Sequence, residues 1–415
     1  MTDAKFMSAA DAVKLVKSYD KVYVQGSTSI PEVLCQALAD RHDELKGVEV
    51  YSAFGVARGV APYSLPEYRD SFIVKSLFIA NSVRDSIARG EGQCIPGFLG
   101  EIPEFFRQGL IPLDVVFLNV SLPDKDGFCS YGVSADLTVS AVECAKVIIA
   151  QVNKQMPYSY GDALIHISKI DACVEVDEPL VALPIAVPNE KEQQIGRYIA
   201  EQIPDGATLQ IGVGGIPNAV LTALTSHKNL GLHTEAMTDG VVPLIQKGII
   251  DNSLKKLYPG QSVACLALGS RRLYDYLHNN RDVVFRDVAW TNDPANIRQN
   301  QKVMAINSAL EIDLTGQICA DSIGTTIFSG VGGQHDFMYG GALSEGGKCF
   351  IALPSITNKG ISKIVPTLTQ GAGVVTTRFQ AQYIATEHGI VYLRNKNLAE
   401  RAKALISIAD PSARE

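Results

Sequence analysis

Short runs of β-branched and aromatic residues alternate along the chain with stretches whose apolar residues recur at helical spacing. The predicted strands are residues 21–24, 48–51, 76–80, 115–120 and 146–152. Helices are predicted after Ser8, which starts a capping-box variant with Asp11, at Pro31, and over residues 101–107. Such alternation of strands and helices is typical of parallel βαβ construction.

An internal repeat organises this pattern. Residues 21–38 align without a gap on residues 207–224, at a constant spacing of 186, and both read as strand, glycine-containing loop, proline and helix. The identical pairs are Gly26/Gly212, Ile30/Ile216, Pro31/Pro217, Ala37/Ala223 and Leu38/Leu224. A looser echo pairs Asn119 and the turn after it with Asn307 and its turn. We therefore predict an α/β fold of two related, duplicated open α/β domains, over residues 1–185 and 186–415.

The two copies differ where a ligand would approach. The first loop, residues 25–31, has one glycine, whereas residues 211–217 have three, and glycine lets backbone N–H groups come close to a ligand. After the next predicted strand, the second half has Glu235 where we align Tyr51 of the first half. Open α/β sheets bind ligands at the carboxyl ends of their strands. The second half is therefore predicted to carry the chemistry.

Two glycine-rich segments are candidate binding loops. Residues 211–218 are neither a dinucleotide fingerprint, because Pro217 replaces the third glycine, nor a phosphate loop with Gly-Lys-Ser/Thr. Residues 329–343 contain five glycines and fit no phosphate-binding consensus either. Both segments suit a backbone laid against a ligand. The plainer alternatives are a tight strand–helix turn for the first and a surface loop for the second.

Charge and composition argue against several classes of protein. The 415 residues carry 37 basic and 44 acidic side chains, a net charge of −7, with no basic cluster suited to nucleic acid. No apolar run approaches the ~20 residues of a membrane span, and no leader pattern starts the chain, so we predict a cytoplasmic protein. Eight scattered cysteines and seven histidines without ligand spacing predict reduced thiols and no metal. We expect structural roles for His233, His388, Cys265 and Cys349, and a helix-capping role for Asp239.

Seven segments resemble the acetyl-CoA hydrolase/transferase family, and within it the 4-hydroxybutyrate CoA-transferase branch with its butyryl- and acetyl-CoA relatives. They are residues 95–109, 120–132, 152–157, 209–220, 233–240, 332–337 and 385–391. The resemblance implies two related α/β domains, in agreement with the internal repeat. It also implies transfer of CoA between a short-chain acyl-CoA and a carboxylate, such as acetate with 4-hydroxybutyrate or butyrate. CoA is then a substrate, no cofactor is tightly bound, and a homodimer is expected.

The same resemblance assigns roles to residues. Glu235 matches the family's catalytic glutamate, which forms an acyl anhydride and then a glutamyl-CoA thioester. Oxyanion donors are expected in the two loops, at Gly212, Val213, Gly214 and Gly215 and at Gly332 and Gly333, chiefly from the N–H of Val213 or Gly214 and of Gly332 or Gly333. Gln210 and Asn292 match positions that contact substrate or CoA. Lys359 and Lys363 are candidates for the CoA phosphates, with solvated lysines as the alternative.

Three other functions stay open at this point. A hydrolase on the same scaffold would let water attack the glutamyl intermediate, and no motif reports how well water is excluded. A non-catalytic acyl-CoA-binding regulator would have no need of Glu235 together with both glycine loops. A nicotinamide-dependent dehydrogenase is disfavoured because the dinucleotide fingerprint is missing. The acyl group is also undetermined, since one methylene is worth only about 1–3 kcal/mol of discrimination.

Overall fold

The computed structural model describes residues 5–415, and the chain forms two compact units. The first unit runs up to Leu183 and takes in residues 265–290 as well. The second unit comprises residues 184–264 and 291–415. The predicted boundary between residues 185 and 186 is close to the first crossing, whereas the return of residues 265–290 to the first unit is a feature that the repeat did not indicate. None of the helices in the described range is long and apolar enough to cross a membrane.

The first unit is built on a seven-stranded parallel sheet. Its strands, in spatial order, are Ala172–Val176, Val147–Asn153, Val115–Val120, Lys21–Val24, Val48–Ala53, Phe72–Phe78 and Gln93–Cys94. The helices of this unit are Ala9–Ala12, Glu32–Ala39, Arg84–Ala88, Ile102–Arg107, Thr138–Cys144 and Arg271–Leu277. Two short pairs accompany the sheet, Phe128–Ser130 with Leu164–His166 and Tyr160–Gly161 with Val283–Phe285.

The predicted elements of the first unit are confirmed with small shifts of boundary. The strand expected at 76–80 begins earlier and is Phe72–Phe78, and the helix that begins after Ser8 is a single turn, Ala9–Ala12, followed by a 3₁₀ turn. Ser8 caps that helix through its hydroxyl, which accepts from the Asp11 N–H at 3.1 Å. All six residues of Val115–Val120 are buried, as expected for a central parallel strand covered on both faces.

The second unit is built on a six-stranded sheet whose last strand is antiparallel. In spatial order its strands are Gly231–Leu232, Thr208–Ile211, Val303–Ser308, Lys348–Ala352, Tyr383–Thr386 and Gly389–Tyr392. Its longer helices are Glu190–Ala200, Gly215–Ala223, Gln334–Leu343 and Leu398–Ser407, and its shorter ones Val242–Gln246 and Pro294–Ile297. Its remaining strands are Ser262–Ala264, Ala236–Met237, Glu311–Asp313, Ile318–Cys319, Ser322–Ile323, Thr326–Ile327 and Ile364–Val365, and the helix Val288–Thr291 ends where the chain re-enters this unit.

Five parallel strands have the same order in both sheets, which confirms the duplication. In each sheet the first strand of the repeat, Lys21–Val24 or Thr208–Ile211, lies between the next strand of its copy and a strand from much later in the chain, Val115–Val120 or Val303–Ser308. Two further parallel strands lie beyond this later strand. The registers also agree, since Val22 pairs with Val115 and the equivalent Thr208 pairs with Val303. Asn119 and Asn307 each lie four residues beyond these pairs, so the looser sequence echo is a true structural equivalence.

The register corrects one sequence alignment. Val22 pairs with Val50, and Thr208 pairs with Gly231, so Val50 and Gly231 are equivalent. Counting four residues on places Glu235 at the position of Phe54, not of Tyr51. Phe54 has a left-handed backbone, with φ of 53°. The carboxylate therefore replaces a buried aromatic ring at the strand end, and the prediction that it replaces a phenol was wrong because the strands leave the sheet at different lengths.

A hydrophobic core holds the helix Gln334–Leu343 against the central strands of the second unit. Phe337 and Met338 of the helix Gln334–Leu343 are fully buried together with Ala305 and Ile351 of the central strands. Burying such side chains contributes roughly 1.5–3 kcal/mol each. The start of this helix is thereby held at a fixed place in the second unit. All eight cysteines of the chain are free thiols, and six of them are buried.

Candidate active site

Glu235 lies just past the short strand Gly231–Leu232 and is partly exposed. The preceding residue, Thr234, locks this strand end to the neighbouring strand. Its hydroxyl donates to the Ile211 carbonyl at 3.1 Å and accepts from the Ile211 N–H at 3.2 Å. Both of these bonds are buried, so the backbone that carries Glu235 is fixed at the edge of the sheet where ligands bind in this class of fold.

Asn292 joins Glu235 to a second carboxyl group. Its Nδ2 lies 3.0 Å from Oε2 of Glu235 and 3.1 Å from Oδ2 of Asp336. Because both neighbours offer acceptor oxygens, the amide nitrogen must face them, which fixes the orientation of the Asn292 side chain. Asn292 and Asp336 are 0 % and 4 % exposed, so this arrangement is a buried polar cluster with Glu235 at its accessible end.

Gly333 gives Glu235 the space it occupies. A Cβ at residue 333 would stand 2.1 Å from Glu235 Oε2 and 2.3 Å from Asn292 Nδ2. Gly333 precedes the helix Gln334–Leu343, whose first turn carries Asp336, and an acidic side chain is favourable there. The second glycine-rich segment is therefore in direct contact with Glu235, and Gly332 beside it has a left-handed backbone with φ of 57°.

The first glycine loop follows the strand Thr208–Ile211 in the same unit. Gly212 donates its N–H to the Ile306 carbonyl at 3.1 Å, while Val213 is 52 % exposed. Gly214, with φ of 126° and ψ of −170°, has a conformation open essentially only to glycine. At Gly215 a Cβ would meet the Glu192 carboxylate at 2.4 Å. The start of this loop's helix is thus next to an acidic group of the chain itself.

Gln210 and Asn307 form a buried amide pair at the ends of adjacent strands. Asn307 Nδ2 donates to Gln210 Oε1 at 3.0 Å, and Gln210 Nε2 donates back to Asn307 Oδ1 at 3.3 Å. Farther along, Gln334 Nε2 donates to the Ser308 carbonyl at 2.8 Å. This last bond ties the central strand Val303–Ser308 to the residue that follows Gly333.

The two candidate lysines lie on a separate turn of the second unit. Lys359 is exposed, and Lys363 is partly buried, which lowers its pKa, with the Glu387 carboxylate acting in the opposite direction. Their role toward CoA stays a prediction. Near them, Glu387, His388 and Asp410 place ligand-type atoms within 4.8 Å of one another. Because the Lys191 ammonium already lies 2.9 Å from Glu387, we interpret this group as an ion-pair network and assign it no metal.

Sequence reasoning did not single out one residue of this cluster, Asp336, and it gave the neighbouring His233 a structural role. Asp336 was noticed only as part of a glycine-rich segment, although its place one helical turn after Gly333 could have pointed to it. His233 was expected to be structural. It is 2 % exposed, its Nε2 lies 2.8 Å from the Thr291 carbonyl, and burial lowers its pKa to about 4.

Both halves of the chain match one protein family, and relatives align with nearly its whole length. The profile of the acetyl-CoA hydrolase/transferase N-terminal domain matches residues 3–184, and that of the C-terminal domain matches residues 269–415. A succinyl-CoA:acetate/propanoyl-CoA:succinate CoA transferase of Fasciola hepatica is 46% identical over 96% of this chain and 84% of its own. The 4-hydroxybutyrate coenzyme A transferase of Clostridium kluyveri is 42% identical over 99% of this chain and 96% of its own.

Structural comparison agrees with these relatives. The crystal structure of 4-hydroxybutyrate CoA-transferase from Porphyromonas gingivalis superposes with a TM-score of 0.85 at 39% identity, covering 99% of this chain and 95% of that one. An acetyl-CoA hydrolase of Kluyveromyces lactis is also related, at 28% identity over 57% of this chain and 46% of its own. The resemblance drawn from the seven sequence segments is confirmed. On these matches to both halves, the chain belongs to the acetyl-CoA hydrolase/transferase family.

Proposed function

We propose that the protein is a CoA-transferase that moves CoA between a short-chain acyl-CoA and a carboxylate, with Glu235 as the nucleophile. The single observation that carries this proposal is the cluster in which Glu235 is bonded by Asn292 and packed on Gly333. A carboxylate held by an amide donor and packed on a glycine has a defined direction. A related 4-hydroxybutyrate coenzyme A transferase and a related butyryl-CoA:acetate CoA-transferase are the models for its substrates.

The reaction proceeds through two covalent intermediates. A Glu235 oxygen attacks the thioester carbonyl carbon, the C–S bond breaks, and CoA leaves as a thiolate, which gives an acyl-glutamyl anhydride. The thiolate then attacks the glutamyl carbonyl carbon, the C–O bond to the acyl group breaks, and the first carboxylate departs from a glutamyl-CoA thioester. An incoming carboxylate reverses both steps and leaves as the new acyl-CoA. The activated bond is conserved throughout, so the reaction needs no nucleotide hydrolysis.

Each addition places negative charge on an oxygen that needs a donor. When the thiolate adds to the Glu235 carbonyl, Asn292 Nδ2 is the side-chain donor already at 3.0 Å from one of its oxygens. One such donor contributes on the order of 3 kcal/mol to the transition state. For the oxyanion on the acyl carbon, we propose the N–H groups of the two glycine loops, at Val213 or Gly214 and at Gly332 or Gly333. Gln210 then lines the strand ends next to the acyl group.

Exchange kinetics test this proposal. Butyryl-CoA is incubated with and without labelled acetate, and acetyl-CoA and free CoA are both measured. We expect acetyl-CoA to form in proportion to butyryl-CoA lost, and borohydride to trap a glutamyl-CoA thioester. Glu235→Gln should abolish both signals, whereas Glu201→Gln, at an exposed helix end, should leave them unchanged.

Other outcomes would select the alternatives. Loss of acyl-CoA that yields free CoA at the same rate without acetate would identify a hydrolase, as the related acetyl-CoA hydrolase suggests. Binding of acyl-CoA with neither turnover nor trapping would identify a regulator. The cytoplasmic location, the homodimer and the lack of a tightly bound cofactor stay predictions alongside this proposal.

A further inference from the structure

His233 is a buried histidine with a partner on each ring nitrogen. Nε2 lies 2.8 Å from the carbonyl oxygen of Thr291, and Nδ1 lies 3.2 Å from the amide nitrogen of Asn300. A carbonyl oxygen only accepts hydrogen bonds, so Nε2 carries the proton and Nδ1 accepts from Asn300. Both partners thus hold the ring in a single tautomer.

The charge state of the ring agrees with this tautomer. Burial, with a smaller contribution from the Lys255 ammonium, lowers the pKa of His233 to about 4. The imidazole is therefore neutral between pH 5 and pH 8. Asn300 is itself held in place, because its carbonyl accepts from the Ser344 hydroxyl at 2.6 Å and its side-chain oxygen accepts from the N–H of Leu257 at 3.1 Å.

The contacts of this ring reach the three chain segments that form the Glu235 cluster. His233 stands two residues before Glu235. Thr291, which accepts its Nε2–H, immediately precedes Asn292. Phe337 packs edge-on against the ring, with centroids 6.0 Å apart and planes at 77°, and immediately follows Asp336. The ring therefore contacts the residue before Asn292 and the residue after Asp336, while the backbone of His233 leads into Glu235. These three polar residues are separated by 44 to 101 positions in the sequence.

The geometry points to His233 as a positioning residue that sets the distance between the Glu235 carboxylate and the Asn292 amide. This inference rests on the proposed function. The ring acts through the Thr291 carbonyl, which fixes the peptide leading into Asn292, and through its own backbone, which leads into Glu235. His233 is 2 % exposed and both ring nitrogens are engaged, so it is not itself an acid or base toward substrate.

Two amide substitutions separate the two bonds of the ring. In His233→Gln the new Nε2 reaches the position of the histidine Nε2 and can still donate to Thr291. In His233→Asn the shorter amide matches Nδ1 and keeps only the bond to Asn300. His227→Gln is the matched control, because His227 also bonds a backbone carbonyl, that of Ala200 at 3.2 Å, on another segment.

We expect kcat of His233→Asn to fall on the order of 10- to 100-fold, because a displacement of ~1 Å of a catalytic group has effects of that size. KM for acyl-CoA should change less than about threefold, since CoA binding does not depend on the Glu235–Asn292 distance. The share of turnover lost to hydrolysis should rise. His233→Gln and His227→Gln should both keep kcat within about threefold of the wild type.

A measurement on the unmodified protein adds an independent test. The ¹⁵N shifts of the His233 ring should report a protonated Nε2 and an unprotonated Nδ1 from pH 6 to pH 8. The opposite tautomer, or equal kcat per folded molecule in His233→Asn and His233→Gln, overturns the inference while leaving CoA transfer intact. A wild-type protein that transfers no CoA overturns the proposed function, and this inference with it.

Discussion

Replacing Gly333 by alanine tests how closely the glycine is fitted to the Glu235 carboxylate. The added Cβ would lie 2.1 Å from Glu235 Oε2, whereas ordinary contacts begin at 3.4 Å, so the carboxylate must retreat by about 1.3 Å, the difference between them. The backbone itself is unstrained, because φ at Gly333 is −93°. A misplacement of ~1 Å can lower turnover about 100-fold, so we expect kcat of Gly333→Ala to fall roughly 100-fold.

Gly333→Ala should also lower the free energy of unfolding by a moderate amount. Both crowded atoms are the ends of side chains that can move, and a Gly-to-Ala change in an accessible conformation stabilises a protein by ~0.4–1 kcal/mol through the unfolded state. Against this stands the weakened Asn292–Glu235 hydrogen bond, worth about 1.5–3 kcal/mol when one partner is charged. The net loss should therefore lie within about 0.5–2.6 kcal/mol.

The assay measures butyryl-CoA:acetate exchange, thioester trapping and urea unfolding on the same preparations. Gly59→Ala is the control, because a Cβ at Gly59 meets no atom within 4 Å and its φ is not left-handed. Wild-type kcat in a folded Gly333→Ala would refute the reasoning, since it would mean that the position of the Glu235 carboxylate in this cluster is not the reactive one.

Asn292→Ala should lower kcat on the order of 10- to 150-fold in the exchange assay, by removing a hydrogen bond to a charged group, and an unchanged kcat would contradict the donor role. Gly214→Ala should lower the free energy of unfolding in urea by roughly 1–3 kcal/mol, because the backbone conformation of Gly214 is accessible only to glycine. The added Cβ itself would meet no atom within 4 Å. Equal stability of the variant and the wild type would refute this prediction. Burial lowers the pKa of Lys255 to about 7, so above pH 7 and up to ~10.4 the unfolded chain binds more protons than the folded one. The stability of the wild type should therefore rise with pH in that window, by at most ~1.4 kcal/mol per unit relative to Lys255→Met, and parallel unfolding curves at pH 7 and pH 9 would disprove it.

Local patterns made the architecture and the proposed nucleophile visible in the sequence. The repeat at Gly26 and Gly212 lies within single strand–loop–helix segments, where spacing along the chain equals spacing in the structure. Glu235 also stands out locally, as a carboxylate directly after a strand. The fold class and the looser echo of Asn119 in Asn307 follow from features of this kind, whereas the contact between Gly333 and Glu235 joins segments 98 positions apart.

The rest of the site depends on contacts between distant segments. Asp336 gains its place by sharing the Asn292 amide, 44 residues away in sequence, and no motif around Asp336 reports that neighbour. The sequence does not show that His233 bonds the carbonyl of Thr291, 58 positions away, so it predicts no more than a structural histidine. The alignment of Tyr51 with Glu235 went wrong for a related reason. Strand ends are compared by register, and register is set by cross-strand pairing that a single sequence does not display.

The excursion of residues 265–290 has a consequence for the order in which the protein can fold during synthesis. These residues supply partners to the first unit: the Ala267 carbonyl accepts from Ser27 at 3.2 Å, Tyr274 bonds Thr28 at 2.9 Å, and Asp287 pairs with Arg107. A nascent chain ending near Leu183 lacks all of them. Domains generally fold one after another from the N-terminus. The first unit, however, cannot complete its contacts until residues 265–290, which follow Glu235 in the chain, have been synthesised. We therefore expect the separated N-terminal half to be a poor folding unit, and the two halves of the duplication to mature together.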